Sequence, residues 1–315
     1  MTGEIVLGVD VGGTSFKAAL IDDGGRTLFA DSVVTEGAQG EEAFMILDRF
    51  VERMIEAGSA RGLHPAACGL ISPGMDERTG RVLFSSNLGW RDFPLLPRLA
   101  GRLGTMRAAA GHDVRTAGLA EAQMGAARGL SDSAMVMIGT GIAAALVSGG
   151  QPIAGAAQMA CELGHIPVYP TGEPCPCGQI GCLETYASAA AIARRYRTAG
   201  GEAGMTAATI AGRLEYDAIA AAVWREAVEA LALALATVTL LLDPAVIVIG
   251  GGLAEADEVL LAPLRSGLQR RLAWRTAPPV VRSRLGGSGA LLGAAILAFR
   301  SLGLGEATAG WQVGR

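Results

Sequence analysis

The chain has 315 residues, half of them apolar and 18% charged, with a net charge of −4. That balance excludes a disordered segment and argues against a basic face for nucleic acid or for a membrane surface. The length suits two domains or one large α/β unit. No basic region precedes the short apolar run at 5–9, so no signal peptide is expected. The longest uncharged stretch, 133–161, is interrupted by Gly139, Gly141, Gly149, Gly150, Pro152 and Gly155, which leaves no membrane span. A cytoplasmic location is expected. Five Cys, an odd number, read as reduced thiols rather than a disulfide framework.

Residues 4–10 form a short run of Ile, Val and Leu that predicts a strand. Gly12-Gly13-Thr14 then turns the chain into a second strand at 16–21, and Asp22-Asp23-Gly24-Gly25 into a third at 27–34, giving two consecutive hairpins. Phe44, Leu47, Phe50, Val51 and Ile55 recur at helical spacing over 41–57. A buried strand at 67–71 ends at Ser72-Pro73-Gly74, and helices are predicted over 93–103 and 114–128. The second half repeats the plan. Strands at 134–138 and 143–147 flank Gly139-Thr140-Gly141, a Cys- and Gly-rich insert fills 161–182, and helices dominate 187–242. The apolar run at 230–242 reads as a buried core helix. A strand at 245–249 ends in Gly250-Gly251-Gly252, and the last strand and helix fall at 280–284 and 290–302.

Three motifs carry chemistry. In Asp10-Val11-Gly12-Gly13-Thr14 the glycine pair lets backbone N–H groups approach an anion, the Thr adds a hydroxyl donor, and the Asp suits a metal-bound water near a phosphate. Alone, the turn fits an ordinary hairpin equally well. Gly139-Thr140-Gly141-Ile142-Ala143-Ala144 matches the Gly-x-Gly-x-x-Gly/Ala dinucleotide pattern, so an NAD-dependent enzyme is a competing reading. The most specific signal is Cys175-Pro176-Cys177-Gly178-Gln179-Ile180-Gly181-Cys182, with His165 ten residues upstream. Three thiols and an imidazole make a closed, structural zinc set, worth on the order of 10 kcal/mol to local order. Glu162 and Glu184 bracket this knuckle, and carboxylates there suit the hydroxyls of a sugar.

The order of these motifs, with Pro73-Gly74 and Asn87-Leu88-Gly89-Trp90 between them and Glu162-Leu163-Gly164-His165 before the knuckle, resembles the ROK family of sugar kinases and repressors over nearly the whole chain. The resemblance implies an α/β, two-lobed actin-like ATPase fold, ribonuclease H-like, with ATP and sugar in the cleft. It implies a smaller lobe over 1–115, a larger lobe over 116–299 with a zinc knuckle at 161–184, and a C-terminal helix at about 300–315 packing back on the first. By similarity, Asp10, Gly12, Gly13, Thr14, Thr140 and Gly141 embrace the phosphates, and Gly250, Gly251 and Gly252 lie against the adenosine. Glu162, His165 and Glu184 hold sugar hydroxyls, with Asn87 and His112 beside them. His165, Cys175, Cys177 and Cys182 bind zinc, and Mg²⁺ accompanies ATP.

The family carries Asn-Asp-Ala-Asn before a later Glu. Counting back from Glu121 puts His112-Asp113-Val114-Arg115 on those positions, which makes Asp113 the expected catalytic base for the sugar 6-hydroxyl. His112 and Arg115 replace both Asn; Arg115 is expected on the helix surface, with bracing of the sugar pocket as the alternative, and Lys17 has no assigned role. The resemblance thus implies a hexose kinase acting on glucose or an N-acetylhexosamine such as N-acetylglucosamine, with ATP or polyphosphate as donor, and a homodimer. A non-catalytic sugar sensor is the alternative. Only nine residues precede Asp10, so the DNA-binding domain of the family's repressors is not expected.

Overall fold

Residues 3–311 are described in a computed structural model of the chain. They divide into two compact units. Unit 1 comprises the residues up to Met124, Ala154–Met159 and those from Gly287 onward; unit 2 comprises Gly125–Ile153 and Ala160–Gly286.

Unit 1 opens with β1 (Ile5–Val11), β2 (Ser15–Asp22) and β3 (Thr27–Val34), joined as the two expected antiparallel hairpins. Then come α1 (Gly40–Ser59) and β4 (Ala67–Ser72), which pairs in parallel with β1. A small antiparallel sheet follows, made of β5 (Met75–Asp76), β6 (Arg81–Ser85) and β7 (Trp90–Phe93). Helix α2 (Leu95–Leu103), β8 (Arg107–His112) and α3 (Asp113–Met124) complete this stretch. The main sheet has the order β3-β2-β1-β4-β8. Most of its large side chains point one way: Leu7, Val9, Val11, Cys68 and Leu70 share a core with Phe44, Leu47, Val51 and Met54 of α1 and with Leu95 and Leu99 of α2.

Unit 2 contains β9 (Ser133–Ile138), β10 (Ile142–Ser148) and β11 (Gln151–Pro152), a 3-10 turn at Leu163–His165, and the short helices α4 (Glu184–Ala187), α5 (Ala189–Thr198) and α6 (Ala207–Ala211). The long helix α7 (Ala218–Leu242), β12 (Val246–Gly250), α8 (Glu258–Arg271) and β13 (Val280–Arg282) follow. Its sheet has the order β11-β10-β9-β12-β13, with β12 parallel to both neighbours. Asp217 caps α7 by accepting the Ile219 and Ala220 N–H groups. The apolar run in α7 is buried on one side only: Leu231 and Leu235 are in the core, whereas Leu240 and Leu241 are exposed.

The chain returns to unit 1 with α9 (Gly289–Ser301) and α10 (Gly305–Ala309). Trp311 packs edge-on against Phe299 and donates to the Asp23 carbonyl at 2.7 Å. Of the helix expected at about 300–315, residues 312–315 lie outside the described residues. Among the described residues no helix is long and apolar enough to cross a membrane.

Helix α9 covers the face of the main sheet opposite α1, and there β1 and β4 carry glycine. A Cβ on Gly69 would stand 1.9 Å from the Ala294 carbonyl oxygen, and one on Gly8 would stand 3.0 Å from that of Leu291. Gly69→Ala is therefore expected to cost about 3 kcal/mol or more in urea unfolding, since backbone on both sides must shift. Gly101→Ala, on open space inside α2, should instead stabilise by about 0.5–1 kcal/mol.

Candidate active site

In unit 1 the parallel strands β1, β4 and β8 end along one sheet edge, where open α/β sheets place their ligands. The register pairs Asp10 with Ile71 and Ser72 with His112, which brings Asp10, Ser72-Pro73-Gly74 and His112-Asp113 into one row. The Gly-Gly-Thr turn leaves from the same edge. Gly12 N–H closes it on the Ser15 carbonyl at 3.2 Å. Thr35, buried after β3, donates its N–H to the Thr14 carbonyl and its hydroxyl to the Gly13 carbonyl at 3.2 Å. Asn87 presses on the turn from the small sheet, since a Cβ on Gly13 would lie 2.7 Å from its Cβ. Lys17, the register partner of Asp10 on β2, is exposed. Opposed residues of an antiparallel pair share a face, so this cation belongs beside the turn. Sequence spacing from Thr14 gave no hint of that; the strand register did.

Asp113 is the first residue of α3, directly after β8. Its Oδ1 accepts the Val114 N–H at 2.7 Å and lies 3.1 Å from His112 Nδ1, and 26% of its side chain is exposed. Burial pushes its carboxyl up to about 6, against the pull of the Val114 N–H and the Arg115 charge. Asp10 is also pushed up to about 6, chiefly by burial and then by the negative charge of Asp113, with Lys17 opposing. Two partly buried carboxylates on one sheet edge each hold a proton more strongly than an ordinary acid does.

Arg115 departs from expectation. It is 2% exposed rather than on the helix surface. Its guanidinium donates to Glu77 Oε1 at 2.9 Å, to the Gln158 carbonyl at 3.1 Å and to the Met75 carbonyl at 3.4 Å. A carboxylate and two carbonyls supply the partners that a buried guanidinium requires. Glu77, which sequence reasoning did not single out, follows β5 in the small sheet.

In unit 2, Gly139-Thr140-Gly141 joins β9 to β10, and Gly139 N–H closes the turn on the Gly141 carbonyl at 2.9 Å. A strand, not a helix, follows this turn, so it lacks the helix N-terminus of a dinucleotide fingerprint, and the NAD reading falls. Glu184 Oε2 accepts the Ile142 N–H at 2.8 Å, and a Cβ on Gly141 would sit 2.4 Å from that oxygen. Gly164 packs against the Ile142 carbonyl, 2.3 Å from where its Cβ would be. Glu162, His165 and Glu184 are thus all gathered around the start of β10, with Glu162 exposed and the other two half-buried. Gly250, at the end of β12, pairs in register with Met137; Gly251 has φ 81°, and its Cβ would meet the Ile138 oxygen at 2.4 Å. The two glycine turns are neighbours at one edge of this sheet.

The donor atoms of His165, Cys175, Cys177 and Cys182 all lie within 4.8 Å of one another. Cys177 Sγ and Cys182 Sγ are 3.7 Å apart, and Cys175 Sγ is 3.9 Å from His165 Nδ1. A tetrahedral ion with ~2.3 Å bonds to sulfur separates its sulfurs by about 3.8 Å, so the residues present fit such an ion. Gly181, at φ 74°, has no room for a side chain, since its Cβ would stand 1.6 Å from the Tyr169 oxygen. Burial and then the neighbouring thiols push the Cys182 thiol up; a divalent cation among the sulfurs reverses that balance. With Nδ1 turned to the sulfurs, Nε2 of His165 is left on the far side of the ring.

Cys161, just before Glu162, holds φ 75°, and its thiol donates to the Ile153 carbonyl at 3.5 Å. An L-residue there is strained, so Cys161→Gly is expected to raise thermal stability by about 0.5–1 kcal/mol; an unchanged or lower Tm would contradict the strain.

Residues 6–301 match the ROK family. The chain is 33% identical over 280 residues to the glucokinase of Thermotoga maritima, covering 82% of this chain and 86% of that one. The ROK hexokinase of Thermus thermophilus superimposes with a TM-score of 0.81 at 32% identity, over 95% of this chain and 99% of the other. A ROK family glucokinase from Streptomyces griseus, solved with glucose and AMPPNP, superimposes with a TM-score of 0.80 at 30% identity, over 94% and 99%. With its two glycine turns, its Cys/His knuckle and its actin-like ATPase fold, this chain belongs to the ROK family.

Proposed function

We propose that the chain is an ATP-dependent sugar kinase that phosphorylates the 6-hydroxyl of a hexose, of the glucose or N-acetylhexosamine type. The observation that carries the reading is the Asp113 carboxylate, half-buried at the sheet edge that also launches the Asp10–Thr14 turn and pushed up to about 6. Such a group is ionised at neutral pH yet has an appreciable affinity for a proton, which is what a general base needs. The sugar 6-oxygen attacks the γ-phosphorus, its proton passes to Asp113, and the bond from γ-phosphorus to the bridging oxygen breaks to release ADP.

In this reading, which follows the family resemblance, Gly12, Gly13, Thr14, Thr140 and Gly141 hold phosphate oxygens, and Gly250–Gly252 receive the adenosine. Mg²⁺ bound with ATP supplies the charge neutralisation that the single Lys does not. Glu162, Glu184 through its second carboxylate oxygen, His165 through Nε2, Asn87 and His112 fix the sugar hydroxyls. Zinc in the knuckle would be structural: bound by His165, Cys175, Cys177 and Cys182, it would fix the His165 ring and the chain between Glu162 and Glu184, with no step in the transfer. The glucokinase similarity and the glucose and AMPPNP complex of the Streptomyces griseus relative support the substrate class. Assembly as a homodimer belongs to the same reading.

Asp113→Asn is expected to lower kcat in a coupled hexokinase assay by at least about a thousandfold while glucose or N-acetylglucosamine binding persists. A non-catalytic sensor would bind sugar yet show no turnover even in the parent. In the parent the acid limb of kcat should fall near pH 6, with Asp113 active above it. The sign for stability is opposite. Asp113 is raised from 3.8 to about 6 on folding, so stability is lost as pH rises through that window, by ~3 kcal/mol. Asp113→Asn should therefore melt at or above the parent at pH 8, which shows that its lost turnover is not unfolding. Cys177→Ser is expected to lose bound zinc by elemental analysis and to lower Tm; a full zinc complement would remove Cys177 from the ligand set.

A further inference from the structure

Glu77 and Arg115 clasp the residue read above as the base. Glu77 Oε1 accepts the backbone N–H of His112 at 3.2 Å and the Nε–H of Arg115 at 2.9 Å. One carboxylate oxygen thus spans the peptide just before Asp113 and the guanidinium two residues after it. The Arg115 side chain is 2% exposed, whereas that of Glu77 is 35% exposed. The same guanidinium ties down Met75 at the start of the small sheet and Gln158 in the segment Ala154–Met159. Burying such a cation costs several kcal/mol unless its partners are well placed, and here they converge on the junction between β8 and α3.

We propose that the Glu77–Arg115 pair is a positioning device for Asp113, acting through the His112 peptide on one side and through the buried guanidinium charge on the other. The inference rests on Asp113 being the base. Holding the His112 N–H fixes where β8 ends, and so where the first residue of α3 projects its carboxylate. The guanidinium sets a permanent positive charge close to that carboxylate, opposing the burial that favours its protonated form. The other charged or titratable groups facing Asp113 are Asp10 on β1 and His112 on β8. Helix α9, packed on α3, carries a single charged residue, Arg300, in its last turn. The segment 154–159 carries none. Glu77 and Arg115 are therefore the pair whose charges can be altered to move Asp113 in opposite directions.

The test is the pH profile of kcat for Arg115→Gln, Arg115→Lys and Glu77→Gln, with Asp113→Asn alongside and sugar KM and Tm recorded for each. Arg115→Gln is expected to lower kcat about tenfold or more with sugar KM little changed, and to move the acid limb up by about half a pH unit or more. Arg115→Lys should restore the limb and part of kcat. Glu77→Gln, which leaves the guanidinium charge unopposed, should move the limb down while kcat falls. Lower Tm with neither limb displaced, or both displaced the same way, overturns the inference. If Arg115→Gln does not fold, the direction of the Glu77→Gln limb decides alone, since that change alters one partly exposed side chain. Full turnover in Asp113→Asn would instead sink the base assignment, an outcome separate from these.

Discussion

The chemistry proposed for unit 1 depends on keeping an ionisable carboxylate partly out of water at the carboxyl ends of three parallel strands. Water would leave Asp113 an ordinary acid with little affinity for a proton; full burial without charge partners would leave it protonated and inert. The observed compromise is a side chain about one quarter exposed, one backbone N–H on its oxygen, a second carboxylate two strands away on β1 and a buried guanidinium in the same first turn of α3. The second carboxylate comes from β1 and the N–H and the guanidinium from α3, and the parallel register of β1, β4 and β8 lines them up.

That row exists because the sheet is packed asymmetrically. One face carries the large side chains and is covered by α1 and α2; the other has Gly8 and Gly69, so that α9 lies almost on the backbone. Close approach there leaves little room for movement under the strand ends. Unit 2 uses the same means locally. Gly141, Gly164 and Gly251 let Glu184, the Leu163–His165 turn and the Ile138 carbonyl come within contact distance of the chain. The Cys/His knuckle has a ligand set that, with a metal bound, would supply the rigidity that a glycine-rich loop lacks.

Much of this architecture was legible in the chain itself. The hairpins at β1–β3 and β9–β10, the helix α1 and the knuckle announced themselves through period-two runs, helical spacing and clustered thiols, all short-range patterns. Strand β8 did not. Its sequence, Arg107-Ala108-Ala109-Ala110-Gly111-His112, has no β-branched residue, and at Gly111 a Cβ would meet Leu297 at 2.4 Å. The small sheet of β5–β7 was also hidden, since strands of two to five residues carry too little pattern, and Phe93 pairs in β7 rather than opening α2. Helix α8 contains Pro263 and lacks a strong apolar stripe.

The amino-acid order by itself determined the fold class, the family, the Cys/His cluster and the candidate base, because each rests on residues close in sequence or on motifs in a set order. Only the folded chain decided the surroundings of that base. Arg115 reads as a surface residue until Met75 and Glu77, from one other segment, and Gln158, from another, are seen to close over it. Lys17 acquires a place only through its register with Asp10, and Glu184 meets the glycine turn 42 residues upstream. Burial and charge pairing are sums over neighbours distant along the chain, and no local pattern encodes them.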